Sequence, residues 1–309
     1  MNTPKTIPKL IEEYLAARDI APTSKKSYYT ALHYFFRYMV KKGRPADKPE
    51  ESDSVRYRQH LLETHSIYTV NLYLSAIKGF FKWIEKNKYW KNIFEQTRPV
   101  KIPDYYAKLP LTIEQIRHLL STIGNHKFVD RRDQTMIRLM FENGLRGIEV
   151  SRLSIGDIDF NSEAPAIMVM GKGADFKRSI NISHSMNEAL QILINESPET
   201  DKKAPVFRSY WKHSGEPVHR LTATEISQII SQRLTKAGLK SDKISGHSLR
   251  HAAAVALLEQ TGDIFPVQTF LRHQNPKTTS IYIRHSQKSL VDKRKLETLL
   301  SNLANPKQS

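Results

Sequence analysis

Cysteine is absent from all 309 residues. That absence removes disulfides, thiolate-ligated zinc and a thiol nucleophile together, and it fits a reducing compartment. No apolar run approaches the ~18 residues a membrane span needs. The N-terminal stretch MNTPKTIPKL has no apolar core of the kind a secretory signal carries. A soluble, intracellular chain with no membrane partner is expected. No G-x-x-x-x-G-K-[ST] run occurs, which excludes a P-loop, and no HExxH occurs, which excludes that zinc site. Internal repeats and low-complexity tracts are also missing.

What is present is ordinary globular composition with an unusual charge. Hydrophobic residues make up 39% and aromatics 9%, too apolar for a disordered chain. Lys and Arg outnumber Asp and Glu 48 to 31, a formal net charge of +17. The excess is shared, with 18 basic against 10 acidic residues in 1–100 and 30 against 21 beyond. Two basic lobes point to one polyanionic partner touched by both.

Periodicity divides the chain. Ile7, Leu10, Ile11, Tyr14 and Leu15 have helical spacing. Thr23 or Ser24 can cap a second helix carrying Tyr28, Leu32, Phe35, Phe36 and Met39, closed by Gly43 and Pro45. A shorter helix over about 53–64 and a fourth over Thr69–Lys86, with Leu72, Ile77, Phe80, Phe81 and Ile84 apolar, complete a small helical domain. Residues 97–110 hold three prolines without helical period and read as a linker. Thr112 then caps a helix with Glu114 or Gln115 in its first turn. A long helix near 130–142 ends at Asn143-Gly144. DIDF, AIMVM and SINIS read as strands, with GKGADFKR as the loop between the last two. Helical periodicity is expected from 186 almost to the end.

Several residues stand where chemistry is expected. Arg146 lies two residues past Gly144, at a helix–helix turn, and Lys172 sits between two glycines at a hairpin tip. His247, Arg250 and His251 form HSLRH, and on a helix they share a face. His273 follows in LRHQ and Tyr282 in TTSIYIR. Each alone has a plainer reading: a helix-end charge, a solvated lysine, a core tyrosine. Together, two arginines, a lysine and imidazoles make a clamp for phosphate.

Their order and spacing resemble the tyrosine recombinase, or phage integrase, family, and its compact Xer-like two-domain members in particular. GLRGIE matches that family's GLR-x-x-E with Arg146 and Glu149, and Gly171-Lys172-Gly173 its hairpin lysine. His247 to His251 matches H-x-L-R-H. His273 follows Arg250 by 23 residues and precedes Tyr282 by nine, as the family's histidine precedes its nucleophile. Two departures stand out. The third box reads LRH where the family has LGH, so Arg272 replaces a small residue, and the hairpin loop is one residue longer than usual.

The resemblance implies a mainly α fold with a small antiparallel β-sheet (α+β). Residues 1–98 would form a four-helix core-binding, SAM-like domain, 99–110 a linker, and 111–309 a catalytic domain. It implies metal- and ATP-independent cleavage and rejoining of duplex DNA through a 3′-phosphotyrosyl intermediate and a Holliday junction, with no cofactor. Tyr282 would be the nucleophile and Lys172 the general acid. Arg146, Arg250 and His273 would contact the phosphate oxygens, and His247 with the arginine field would take the tyrosine proton. Glu149 and His251 would support them. Leu296, Leu299, Leu300 and Leu303 form a stripe that in relatives would dock on a neighbour in a homotetramer. A cytoplasmic, nucleoid-associated enzyme with room for accessory proteins follows. A type IB-like topoisomerase and a non-catalytic DNA-binding or architectural protein are the alternatives.

Overall fold

The computed structural model describes residues 6–102, 108–161, 163–171, 174–196, 200–209 and 218–272, together with Thr279 and Tyr282. The chain divides into two compact units, Met1–Asp104 and Tyr105–Ser309. No helix among the described residues is long and apolar enough to cross a membrane.

The first unit holds four helices, α1 (Ile7–Ala16), α2 (Pro22–Lys41), α3 (Glu51–Thr64) and α4 (Ile67–Lys86). Their apolar stripes meet in one aromatic-rich core, where the Phe35 ring meets those of Tyr57, Phe81 and Phe94. Edge-to-face contacts of this kind add to the area they bury. Three local expectations need correction. Helix α2 starts at Pro22 with Ala21 as its N-cap, so neither Thr23 nor Ser24 caps it. Proline at the first turn has its φ preset and no N–H to satisfy. Helix α4 begins earlier than Thr69, because the Ser66 hydroxyl accepts from the Thr69 N–H. Leu72 is exposed, since the buried face runs through Val70, Leu74, Ile77, Phe81 and Ile84 at three- and four-residue steps. After α4 the chain stays tied to the unit. Asn71 Nδ2 donates to the Val100 carbonyl (2.8 Å) and the Val100 N–H to Asn71 Oδ1 (2.7 Å).

The second unit opens with α5 (Ile113–Ser121), where Thr112 and Gln115 form a reciprocal capping box. α6 (Phe128–Glu142) and the short α7 (Gly147–Arg152) follow. A three-stranded antiparallel sheet comes next, in the order β1 (Ile158–Asp159), β2 (Ala166–Met170), β3 (Lys177–Asn181). α8 (His184–Asn195), α9 (Ala223–Lys236), α10 (Gly246–Thr261) and α11 (Ile264–Leu271) complete it. Two expectations differ here as well. Lys177 and Arg178 belong to β3 rather than the hairpin loop, pairing with Met170 and Val169. The helical reading beyond 186 is interrupted between α8 and α9. There the described residues form turns and bends, with isolated bridges from Ser154 to Pro205 and from Arg208 to Arg220. Pro205 cannot join a helix interior, and Arg220 Nη1 donates to the Ser151 and Leu153 carbonyls (both 2.9 Å), fixing this segment beside α7.

α6 and α10 lie side by side in the core, with Met136, Ile137, Leu139 and Met140 of α6 and Leu249 and Ala252 of α10 in one buried cluster. The alternative face of α10 joins α11 in a second cluster of Ala254, Leu258, Val267, Leu271 and Tyr282. The two clusters place α10 between the α6–α7 turn and the C-terminus of α11.

Candidate active site

The site is built on a helix–helix turn. α6 ends at Asn143, and Gly144 adopts φ +58°, a left-handed conformation that glycine accepts without strain. A side chain is excluded there for a second reason: a Cβ on Gly144 would stand 2.7 Å from Phe270 Cε1. The tight turn delivers Arg146 to the N-cap of α7. Its backbone N–H donates to Glu149 Oε2 (2.8 Å) and its Nη1 to Glu149 Oε1 (2.8 Å). Glu149 is 1% exposed, so this carboxylate exchanges water entirely for protein donors.

Arg250 comes from the first turns of α10 and is also buried. Its Nη1 donates to the Gly144 carbonyl and lies 3.9 Å from Glu149 Oε2, while its Nη2 donates to the Leu271 carbonyl. A third guanidinium joins them. Arg272 Nη2 donates to the Gly144 carbonyl (2.9 Å) and to Glu149 Oε2 (3.1 Å). Its Nη1 donates to the carbonyls of Asn143 (3.2 Å) and Phe270 (2.9 Å). One carboxylate thus faces three guanidinia, leaving the cluster strongly positive.

The electrostatics follow from that arrangement. Burial alone would push the Glu149 carboxyl up. The Arg146 N–H, the Arg272 charge and the Arg146 guanidinium outweigh it and hold the group below the usual carboxylate range. Burial and the neighbouring charge of Arg146 press Arg250 down to about 9, opposed by Glu149. It therefore stays charged at neutral pH.

Tyr282 packs among Ala254, Leu258, Val267 and Leu271 and is 2% exposed. Burial pushes its phenol up to about 12, although Arg250 and then Arg146 pull the other way. The group is neutral near pH 7 and needs a proton acceptor before it can attack anything. The imidazole at hand is His251, whose Nδ1 lies 2.7 Å from the phenolic oxygen. This differs from the expectation that His247 serves Tyr282. His247 stands one turn earlier on α10 and remains exposed. The burial it does experience, with the charges of Arg250, Arg146 and Lys108, lowers its pKa. It is a neutral donor or acceptor facing outward beside the arginines.

Of the expected residues, Arg146, Glu149, His247, Arg250, His251 and Tyr282 come together. Lys172 and His273 lie outside the described residues. The hairpin that carries Lys172 is anchored at Gly171, whose carbonyl accepts from Arg152 Nη1 on α7 (3.2 Å), and at Lys177, which pairs with buried Asp157. Arg272 was visible in the sequence only as an arginine in place of a small residue; its insertion beside Glu149 had no local signal.

A sequence profile of the phage integrase family matches residues 110–289, and one of the phage integrase N-terminal SAM-like domain matches residues 9–91. The chain belongs to the phage integrase family. Its relatives include tyrosine recombinase XerC of Chlamydia muridarum, 33% identical over 240 residues, covering 75% of this chain and 72% of that one. Tyrosine recombinase XerA of Pyrococcus furiosus is 28% identical over 298 residues, 96% of each chain. Among solved structures, the XerH site-specific recombinase in a post-cleavage complex with its difH substrate superposes with a TM-score of 0.69 at 21% identity. That match covers 97% of this chain and 85% of the other. A lambda integrase fragment bound to a core site gives a TM-score of 0.68 at 16% identity, covering 90% and 95%. The helical fold with its small three-stranded sheet is that of these recombinases.

Proposed function

We propose that this member of the tyrosine recombinases is a site-specific DNA strand transferase that cuts and rejoins duplex DNA through Tyr282, without metal or ATP. The observation that carries the reading is the convergence of Arg146 and Arg250 on buried Glu149 beside the phenol of Tyr282. A phosphodiester is anionic, and its pentavalent transition state carries more charge still. Two planar guanidinia, Arg250 buried and Arg146 half-buried and both held by Glu149 and its neighbours, meet that charge as it develops.

In this reading Tyr282 Oη attacks the scissile phosphorus as its proton passes to His251. The bond to the 5′ oxygen breaks, and Lys172 supplies that oxygen with a proton. The 3′-phosphotyrosyl ester keeps the energy of the bond it replaced, so a second 5′ hydroxyl can attack it and release the phenol. No nucleotide hydrolysis is needed, and the guanidinia perform the charge neutralisation a metal would otherwise provide. His247 and His273 add hydrogen bonds to the non-bridging oxygens. The DNA-bound state of the structural relatives and the shared basic charge of both units support duplex DNA as the partner. Exchange between two duplexes requires four active sites, and the leucine stripe at 296–303, outside the described residues, is the proposed contact between protomers.

The test uses nicked synthetic duplexes tiled across the DNA flanking the gene, incubated with wild type or Tyr282→Phe in the presence of a chelator. A covalent protein–DNA adduct on denaturing gels, formed by wild type and lost in Tyr282→Phe, is the expected result. An adduct that persists in Tyr282→Phe would give the nucleophile's role to another residue, and tight binding without any adduct would favour a regulatory protein.

A further inference from the structure

Arg272 closes α11 with φ +53° and ψ +44°, in the left-handed region where a glycine rests easily and an L side chain is strained. The family's LGH has a small residue there, and this chain does not. A position so strained keeps a large side chain only when its contacts repay the conformation. Four do: the bonds to Asn143 O, Phe270 O, Gly144 O and Glu149 Oε2. The guanidinium is mostly buried.

The identity of these acceptors matters more than their number. The Gly144 carbonyl also accepts from Arg250. Glu149 Oε2 also accepts the Arg146 N–H and stands 3.9 Å from Arg250 Nη1. Asn143 and Gly144 form the turn that delivers Arg146, and the Phe270 ring covers that turn from the same side. Arg272 therefore touches atoms that also bind Arg146 and Arg250. A tether between α11 and α6 would need only the backbone carbonyls; the bond to Glu149 goes beyond a tether.

We propose that Arg272 is a positioning residue for strand transfer, fixing Glu149 and the Gly144 carbonyl and, through them, the guanidinium planes of Arg146 and Arg250. The inference rests on the phosphotyrosyl reading.

The test measures two quantities on a nicked duplex that traps the covalent adduct: DNA affinity, and the adduct-forming rate at saturating DNA. Arg272→Gly relaxes the backbone, so the variant should fold, and a thermal melt checks that it does. Its affinity should stay within about twofold of wild type while the rate falls about tenfold to a hundredfold, the scale set by small misplacements of reacting groups. Arg272→Lys should not restore the rate, because one ammonium cannot span acceptors that a planar fork spans. In a Glu149→Gln background, Arg272→Gly should cost clearly less than it does in wild type, since the share of its effect that runs through Glu149 is already gone. A wild-type rate in Arg272→Gly would overturn the proposal. So would a full, additive loss on top of Glu149→Gln, which would make Arg272 a structural tie only. Wild type run in parallel separates the two readings: if it forms no adduct, the phosphotyrosyl reading fails and takes this inference with it.

Discussion

The Nδ1 atom of His251 lies 2.7 Å from the phenolic oxygen of Tyr282, inside a cluster where that tyrosine is 2% exposed. Tyr282, the proposed nucleophile, and His251 are thus a hydrogen-bonded pair, and the neighbouring guanidinia of Arg250 and Arg146 favour the phenolate that proton transfer would create. His251→Ala should reduce adduct formation by about a hundredfold or more, the usual weight of a positioned base, and make the remaining rate climb with pH into the alkaline range. His247→Ala should lower the rate without that added pH dependence. A pH–rate series on the two variants checks the assignment; the reverse pattern would return the proton to His247.

Glu149 makes the network dependent on pH in a definite direction. Its folded pKa is depressed, so its stabilising contribution is present above the unfolded carboxyl value, near 4.3, and lost as pH falls through the folded value. Glu149→Gln leaves three buried or half-buried guanidinia without their carboxylate. It should cost about 3–5 kcal/mol at pH 7. Urea melts from pH 7 downward should show the gap between wild type and variant closing below about pH 4, and a constant gap would mean that Glu149 never changes charge.

The core of the first unit holds a polar atom that gains nothing from its position. Tyr57 is fully buried, its hydroxyl has no hydrogen-bond partner among the described residues, and burial raises its pKa far above the ordinary value. Tyr57→Phe removes the uncompensated hydroxyl and keeps the ring against Phe35 and Phe94. Stability should rise by about 1 kcal/mol, read as a higher denaturation midpoint with DNA affinity unchanged. A loss of stability would show that the hydroxyl is satisfied in solution.

Removal of residues 290–309 tests the assembly apart from the chemistry. The truncated protein should bind a single duplex with wild-type affinity and fail to synapse two or to complete recombination. Native gels and a recombination assay on paired sites report the two steps, and unimpaired recombination would remove the C-terminal stripe from the mechanism.

Helix positions were legible because local rules wrote them. The stripes of α1, α2 and α4, the Thr112 capping box and the Asn143-Gly144 stop are each decided within a few residues. The misjudged details lay where a neighbour decided. Leu72 is apolar yet faces outward, and Lys177 left the hairpin loop because its partner across the sheet is Met170. The non-helical stretch after α8 is held by Arg220 reaching the Ser151 and Leu153 carbonyls, a contact between distant segments.

The same division runs through the site. The order and spacing of Arg146, Glu149, His247, Arg250 and Tyr282 in the sequence determined by themselves which functional groups this chain carries, because phosphate chemistry demands particular side chains and their order is written along the chain. Tertiary structure decided who meets whom. It set His251 rather than His247 against the phenol, drew Arg272 into the carboxylate of Glu149, and buried Tyr282 enough to raise its pKa to about 12. Hydrogen bonds act over about 3 Å, a distance between residues far apart in sequence that only the packing of α6, α7, α10 and α11 sets.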